Sequence, residues 1–311
     1  MQYFRLTSRI AGIGLGLGSC WILLAGSLFA AEPQAETDLT VVASTALELQ
    51  VTLAELWTVP FLAGDGALVQ DNNISFKLGA VLTPVTANAI AEVTWTPIAF
   101  LQVVAGAQLG SGWDIGFAHG LSLNLRSGLH DNRLTADAFS AALWKVKAGA
   151  AFQFDVAALA PGDWNHLVFR SYHEIFYRGL TGVADDVAWM FENDPGENHN
   201  GWNYYGNYFL GYKMPILLDM VGVLLEHDLF LYTTPGRSLW GDDLLRWNFG
   251  PVLDFRFSDS VSLAVLAQFW SQRNFSAGTA AYGFYQDRVL DTANPLSIVF
   301  HRAAVVLAVK L

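Results

Sequence analysis

The sequence predicts an all-β chain that closes into an antiparallel transmembrane β-barrel of twelve strands. Three observations carry this expectation. Apolar residues recur with a period of two from about Leu39 to Leu311 in strand-sized pieces, so each piece has one apolar and one polar face. The composition is 53% hydrophobic with a mean hydropathy of +0.32, yet beyond Ala30 no stretch offers the ~20 consecutive apolar residues of a membrane helix. The best candidates, 98–109 and 214–225, are short and carry Gln102, Gln108 and Asp219. Hydrocarbon admits only helices or closed barrels, because an unpaired backbone group finds no water there.

The first element is a leader. Arg5 and Arg9 precede an apolar, Gly-rich run from Ile10 to Phe29, and the small residues Ala30 and Ala31 follow. Residues 1–30 therefore read as a secretory signal peptide cleaved after Ala30, with 31–311 as the barrel; the length of the run also fits an uncleaved anchor. Leu17, Gly18, Ser19 and Cys20 resemble a lipoprotein box, but the apolar run continues past the cysteine. Cleavage removes Cys20, the single cysteine, so neither disulfides nor a thiolate metal site are expected. Losing Arg5 and Arg9 takes the balance from 17 basic and 28 acidic residues to 15 and 28, a net charge of −13. That charge argues against a nucleic-acid partner.

The strands follow in order at 39–57, 74–83, 88–96, 98–109, 117–126, 141–156, 165–178, 202–213, 216–232, 244–257, 260–271 and 297–311. The alternation is plainest near the end. Leu245, Trp247, Phe249, Leu253, Phe255 and Phe257 oppose Arg246, Asn248, Val252, Asp254 and Arg256. After Ser258 and Asp259, Val261, Leu263, Val265 and Phe269 oppose Ser260, Ser262 and Gln268, which reads as a hairpin. With the first strand running outward, the short connections 84–87, 157–164, 213–215 and 258–259 form one end. The mostly long ones, 63–73, 127–140, 180–201, 233–243 and 272–296, form the other, as expected of periplasmic turns and extracellular loops. The tight break at Thr96 and Pro97 violates that alternation. Trp57, Trp95, Trp144, Trp202, Tyr204, Tyr208, Tyr212, Trp247 and Phe249 fall on outward faces, where aromatic rings favour the headgroup level.

Leader, cysteine-free remainder, amphipathic strands and an alternating apolar last strand together resemble a bacterial outer-membrane β-barrel protein, over nearly all of 39–311. The resemblance implies a location in the outer membrane, contact with its lipid, and recognition of the last strand by the barrel-assembly machinery. In that class the last residue is typically Phe; here it is Leu311.

Strand parity turns a set of charges toward the interior: Lys77, Arg126, Lys145, Lys147, Arg170, Arg178, Arg246, Arg256, Arg302 and Lys310 against Glu48, Glu92, Asp155, Glu174, Glu226, Asp228 and Asp254. These are the candidate pore-lining residues, and on this count the wall leans basic. Ladders of opposite charge across a lumen orient polar solutes, and a basic wall favours anions. The same residues also fit salt-bridged filler in a narrow barrel.

Other motifs lead less far. The acidic stretch 185–199, with Asp185, Asp186, Glu192, Asp194, Glu197 and Asn198, fits no EF-hand spacing and reads as a solvated loop. Ser171 and His173 share a strand face, as do the nucleophile and base of an outer-membrane phospholipase, but in reversed order, facing lipid, and without a visible orienting residue. The glycines at 12–18 and 106–112 lack a phosphate-loop context. The sequence therefore points to a porin-like passive channel for small polar or anionic solutes, with no catalysis, cofactor or metal. The alternatives are a closed barrel acting through loops rich in aromatics such as Trp189, Trp240 and Tyr285, and, more remotely, a lipid hydrolase.

Overall fold

Twelve amphipathic strands, each too polar on one face to stand in lipid alone, are paired edge to edge until no edge remains. The computed structural model describes residues 34–311 apart from 117, 137, 140 and 193–196; the expected signal peptide and Asp194 lie outside the described residues. The strands are β1 (Gln34–Ser44), β2 (Leu49–Pro60), β3 (Asn73–Leu82), β4 (Thr86–Ile98), β5 (Leu101–Gly112), β6 (Leu143–Asp155), β7 (His166–Leu180), β8 (Gly201–Lys213), β9 (Leu218–Phe230), β10 (Arg246–Arg256), β11 (Val261–Arg273) and β12 (Leu296–Lys310). Each pairs antiparallel with its chain neighbours, and β1 pairs with β12, Asp38 opposite Lys310 and Ser44 opposite Ala304, closing the barrel.

Twelve strands form, but two of those expected change identity. The segment 39–57 is not one strand; it is the hairpin β1–β2, folded at Thr45–Glu48. Here the Leu47 N–H donates to the Ser44 carbonyl, the Ser44 hydroxyl donates to Glu48 at 2.6 Å, and Leu47 adopts φ 60°. Conversely, 117–126 is not a barrel strand. Residues 121–126 pair with 132–136 and 188–191 in a three-stranded sheet built from loops. The extra turn reverses the early connections: 61–72, with Asp65 and Asp71, now joins the turn end, and 83–85 joins the loop end. The tight link at Thr96 and Pro97 is thereby explained, since β4 meets β5 at 99–100 on the turn end after a register shift between Trp95 and Ile98.

Outward positions carry Leu53, Val93, Val103, Val146, Phe169, Ile175, Leu210, Val223 and Leu307, all exposed. Aromatic rings rim this band at both ends. Trp144 stacks on Tyr177 at 4.9 Å and Tyr177 meets Trp202 edge-on at 5.6 Å on the loop end. On the turn end, the Tyr212 hydroxyl donates to the Trp164 carbonyl. The outer surface is thus an apolar belt between aromatic rims.

The interior is not uniformly polar. Toward the turn end of β7–β12, Val168, Phe209, Met220, Leu224, Val252, Leu266 and Val306 pack into one cluster. Register partners Gly211 and Gly222 make room for the Phe209 ring: a Cβ on either would lie 2.5 Å from it.

Candidate functional site

A belt of charged and hydrogen-bonded side chains runs along the inner wall. Lys77 on β3 stands opposite Glu92 on β4. Glu92 meets Lys147 of β6 at 2.7 Å across Gly106 of β5, where a Cβ would come within 2.9 Å of the lysine stem. Lys147 and Lys145 reach Glu174 of β7 at 3.6 and 2.8 Å, and the Tyr172 hydroxyl donates to the same carboxylate at 2.6 Å. Beyond Glu174 its register partner Tyr205 donates to Glu226 at 2.5 Å. Gln268 of β11 donates to Glu226, and Arg302 of β12 links Gln268 to Glu48 in the β1–β2 turn. The series of contacts and register partners passes around most of the circumference.

Pairing therefore runs along the wall between near strands. Arg246, Glu226 and Arg256 do not meet across the axis. Arg246 holds Asp228 on the next strand, near the loop end; Arg256 approaches Asp219 at 4.0 Å, near the turn end. Asp155 holds His166 at 2.6 Å and Lys310 holds Glu36 at 2.7 Å, also toward the turn end. Arg170, 4% exposed, lies over the Tyr172 ring, and Asp254 is 5% exposed. Arg178 donates to Asn198 of a loop and lies over Trp189.

Two corrections follow. Arg126 is not on the wall: it belongs to the loop sheet and pairs with Asp287. The wall does not lean basic either. Lys77, Lys145, Lys147, Arg170, Arg178, Lys213, Arg246, Arg256, Arg302 and Lys310 are matched in number by Glu36, Asp38, Glu48, Glu92, Asp155, Glu174, Asp219, Glu226, Asp228 and Asp254. Sequence reasoning missed Glu36 and Asp38 because it began β1 too late; carrying the alternation back from Thr40 would have found them. It missed Lys213, which it placed at the junction of the strand 202–213 and the turn 213–215. Asp219 was hidden by a bulge between Leu218 and Met220 that brings it to Lys213 and Arg256.

Above the belt the long loops fold together. Residues 121–124 pair with 188–191, the Phe284 N–H donates to the His130 carbonyl, and the Leu290 N–H donates to the Leu239 carbonyl. Trp189, fully buried, packs with Leu121, Leu143 and Leu180. The Tyr232 hydroxyl donates to Asp242, and His199 contacts the Tyr285 hydroxyl at 2.6 Å; burial holds the His199 imidazole below its ordinary pKa. Glu192 accepts from Thr86 and Asn88 on the inner face of β4, so the cap reaches into the mouth. Beneath it lies a cavity of ≈ 290 Å³ lined by residues including Lys145, Glu174, Asn203, Tyr205, Glu226, Asp228 and Arg246.

Ser171 and His173 face outward, and the group missing from the sequence comes from the next strand. The serine hydroxyl lies 2.9 Å from His173 Nε2, and the Tyr204 hydroxyl lies 2.7 Å from Nδ1. Depth argues against hydrolysis there. Ser171 is six positions from the rim residue Tyr177, about 15 Å inside the band for a tilted strand, whereas lipid esters sit at the rims.

A scan against protein-family models finds no match, and a search of curated proteins finds none either. Solved structures with a similar barrel include the NanC porin, 8% identical over 88% of this chain and 98% of that one, with a TM-score of 0.39. Another is the CymD monoaromatic hydrocarbon channel, 9% identical over 96% and 94%, TM-score 0.39. A third is the translocator domain of autotransporter NalP from Neisseria meningitidis, 9% identical over 93% and 92%, TM-score 0.36.

Proposed function

We propose that this chain is an outer-membrane channel that passes small polar solutes by diffusion. The observation that carries the reading is the ionic belt from Lys77 through Glu92, Lys147, Glu174 and Glu226 to Arg302 and Glu48. A barrel needing only to be stable could fill its interior with apolar packing, as the turn end of β7–β12 does, because buried ion pairs are costly to desolvate. Charges retained beside a cavity serve solutes that carry water. The even balance of the wall removes the basis for an anion preference. On the same reading, residues 1–30 direct export, the apolar band contacts outer-membrane lipid, and β12 is the strand read by the assembly machinery.

The folded cap favours a covered pore over an adhesive surface. Trp189, Trp240, Phe284 and Tyr285 are buried within it and offer no partner an aromatic face. Planar-bilayer recording of the purified chain tests the proposal: discrete conductance steps in potassium chloride are expected, with similar permeability to both ions. Silent bilayers at high protein load would refute it.

A further inference from the structure

The cavity under the cap has a composition that selects among polar solutes. Lys145, Arg178 and Arg246 face Glu174, Glu226 and Asp228, three charges of each sign. Lys145 is held by Glu174 at 2.8 Å, Arg246 by Asp228, and Glu226 by Tyr205 and Gln268. A net ionic solute entering this space gives up hydration and meets no net countercharge, which disfavours its binding. A neutral solute does not incur that cost. It must still replace its lost water hydrogen bonds, and the lining supplies partners: carboxylate lone pairs, guanidinium N–H groups and the Asn203 amide. Asn203, 2% exposed, donates to the Gly201 carbonyl while its Oδ1 has no partner.

Aromatic rings add a second requirement. Phe176 and Phe230 line the same space, Phe176 with Lys145 3.8 Å from its ring centre and Phe230 with Arg246 at 4.2 Å. Rings beside dense hydrogen-bonding groups suit a guest with C–H faces and hydroxyl edges. A volume of ≈ 290 Å³ is room enough for a single sugar ring.

We propose that the cavity binds a neutral polyol of monosaccharide size, held between the cap above and the ionic belt below. This rests on the channel reading for its route of entry, and not for the binding itself.

The experiment titrates the detergent-solubilised full chain calorimetrically with D-glucose, sodium gluconate and glucosamine, which share a carbon skeleton but are neutral, anionic and cationic. Saturable glucose binding is expected, with both charged analogues about tenfold weaker. Asn203→Leu should abolish glucose binding while the barrel, followed by circular dichroism, stays folded. Phe230→Ala, which leaves the belt intact, should weaken it. Equal or tighter binding of gluconate or glucosamine, or no glucose binding by the folded chain, overturns the proposal. Conductance steps without glucose binding would end the polyol site and leave the channel standing; glucose binding with silent bilayers would do the reverse.

Discussion

Glu174 shows how one side chain can hold much of the inner wall. Its carboxylate is 4% exposed and receives Lys145, Lys147 and the Tyr172 hydroxyl. Removing one partner of a buried pair leaves an uncompensated charge, which outweighs the modest net worth of the intact pair. Glu174→Gln should therefore destabilise the barrel by about 3 kcal/mol, at the lower end of such losses because Lys145 remains part-exposed. Urea unfolding in lipid or detergent measures it. The double variant Glu174→Gln with Lys145→Met should recover most of the loss; a single variant as stable as the parent would mean that the lumen is wet enough to screen the charge. Parity alone assigned Glu174, Lys145, Lys147 and Glu92 to the interior. Their connectivity was not legible, because Glu92 and Lys147 are 55 residues apart and touch only where Gly106 of the strand between them lacks a side chain.

At the scale of elements, strands were legible wherever a turn announced itself and illegible where it did not. The β10–β11 turn at 257–260 has Ser258 and Asp259 to mark it. The β1–β2 turn has Ser-Thr-Ala-Leu-Glu, with no glycine, asparagine or proline, and the apolar alternation runs through it unbroken. Leu47 supplies the left-handed residue that such a turn needs, at φ 60°, a conformation costing a branched residue roughly 1–2 kcal/mol. The side chain is 80% exposed and gives no packing in return. Leu47→Gly should thus stabilise the barrel by about 0.5–1 kcal/mol after the entropy of glycine is subtracted. Leu47→Pro should destabilise it, since it fixes φ near −65° and deletes the N–H bonded to the Ser44 carbonyl. Thermal or urea unfolding of the two variants in parallel decides the matter, and a neutral glycine variant would argue against strain at this turn. The loop strand 121–126 failed for the opposite reason: its local pattern is that of a barrel strand, and only its partners 132–136 and 188–191 place it elsewhere.

For the whole molecule the decisive question is whether the cap governs passage. Ion pairs tie the loops together over the mouth, and Asp287 makes one such tie: it holds Arg126 on the loop sheet and His130 at 2.9 Å, while the His130 ring stacks on Tyr282 at 3.8 Å. The hydrogen bonds from Arg126 keep the Asp287 carboxyl below its usual pKa. A depressed folded-state value means that the tie contributes fully above the unfolded pKa of ~3.9 and is lost as pH falls through the lower folded value. Between neutral pH and about pH 5 the Asp287 carboxylate therefore stays charged, and acid releases it only below about pH 4. Asp287→Asn should produce the acid-released state at neutral pH, because the amide cannot hold the guanidinium with a charge. If the cap restricts the pore, this variant gives larger or longer conductance steps at pH 7 than the parent, and outer-loop proteolysis quickens in parallel. The parent should approach the variant only in strong acid. Faster proteolysis with unchanged conductance would show that the cap covers the mouth without limiting flow. The limit to flow would then lie deeper, at the ionic belt around Lys147 and Glu174 or at the apolar cluster around Phe209 toward the turn end, and substitutions there should change conductance where those in the cap do not.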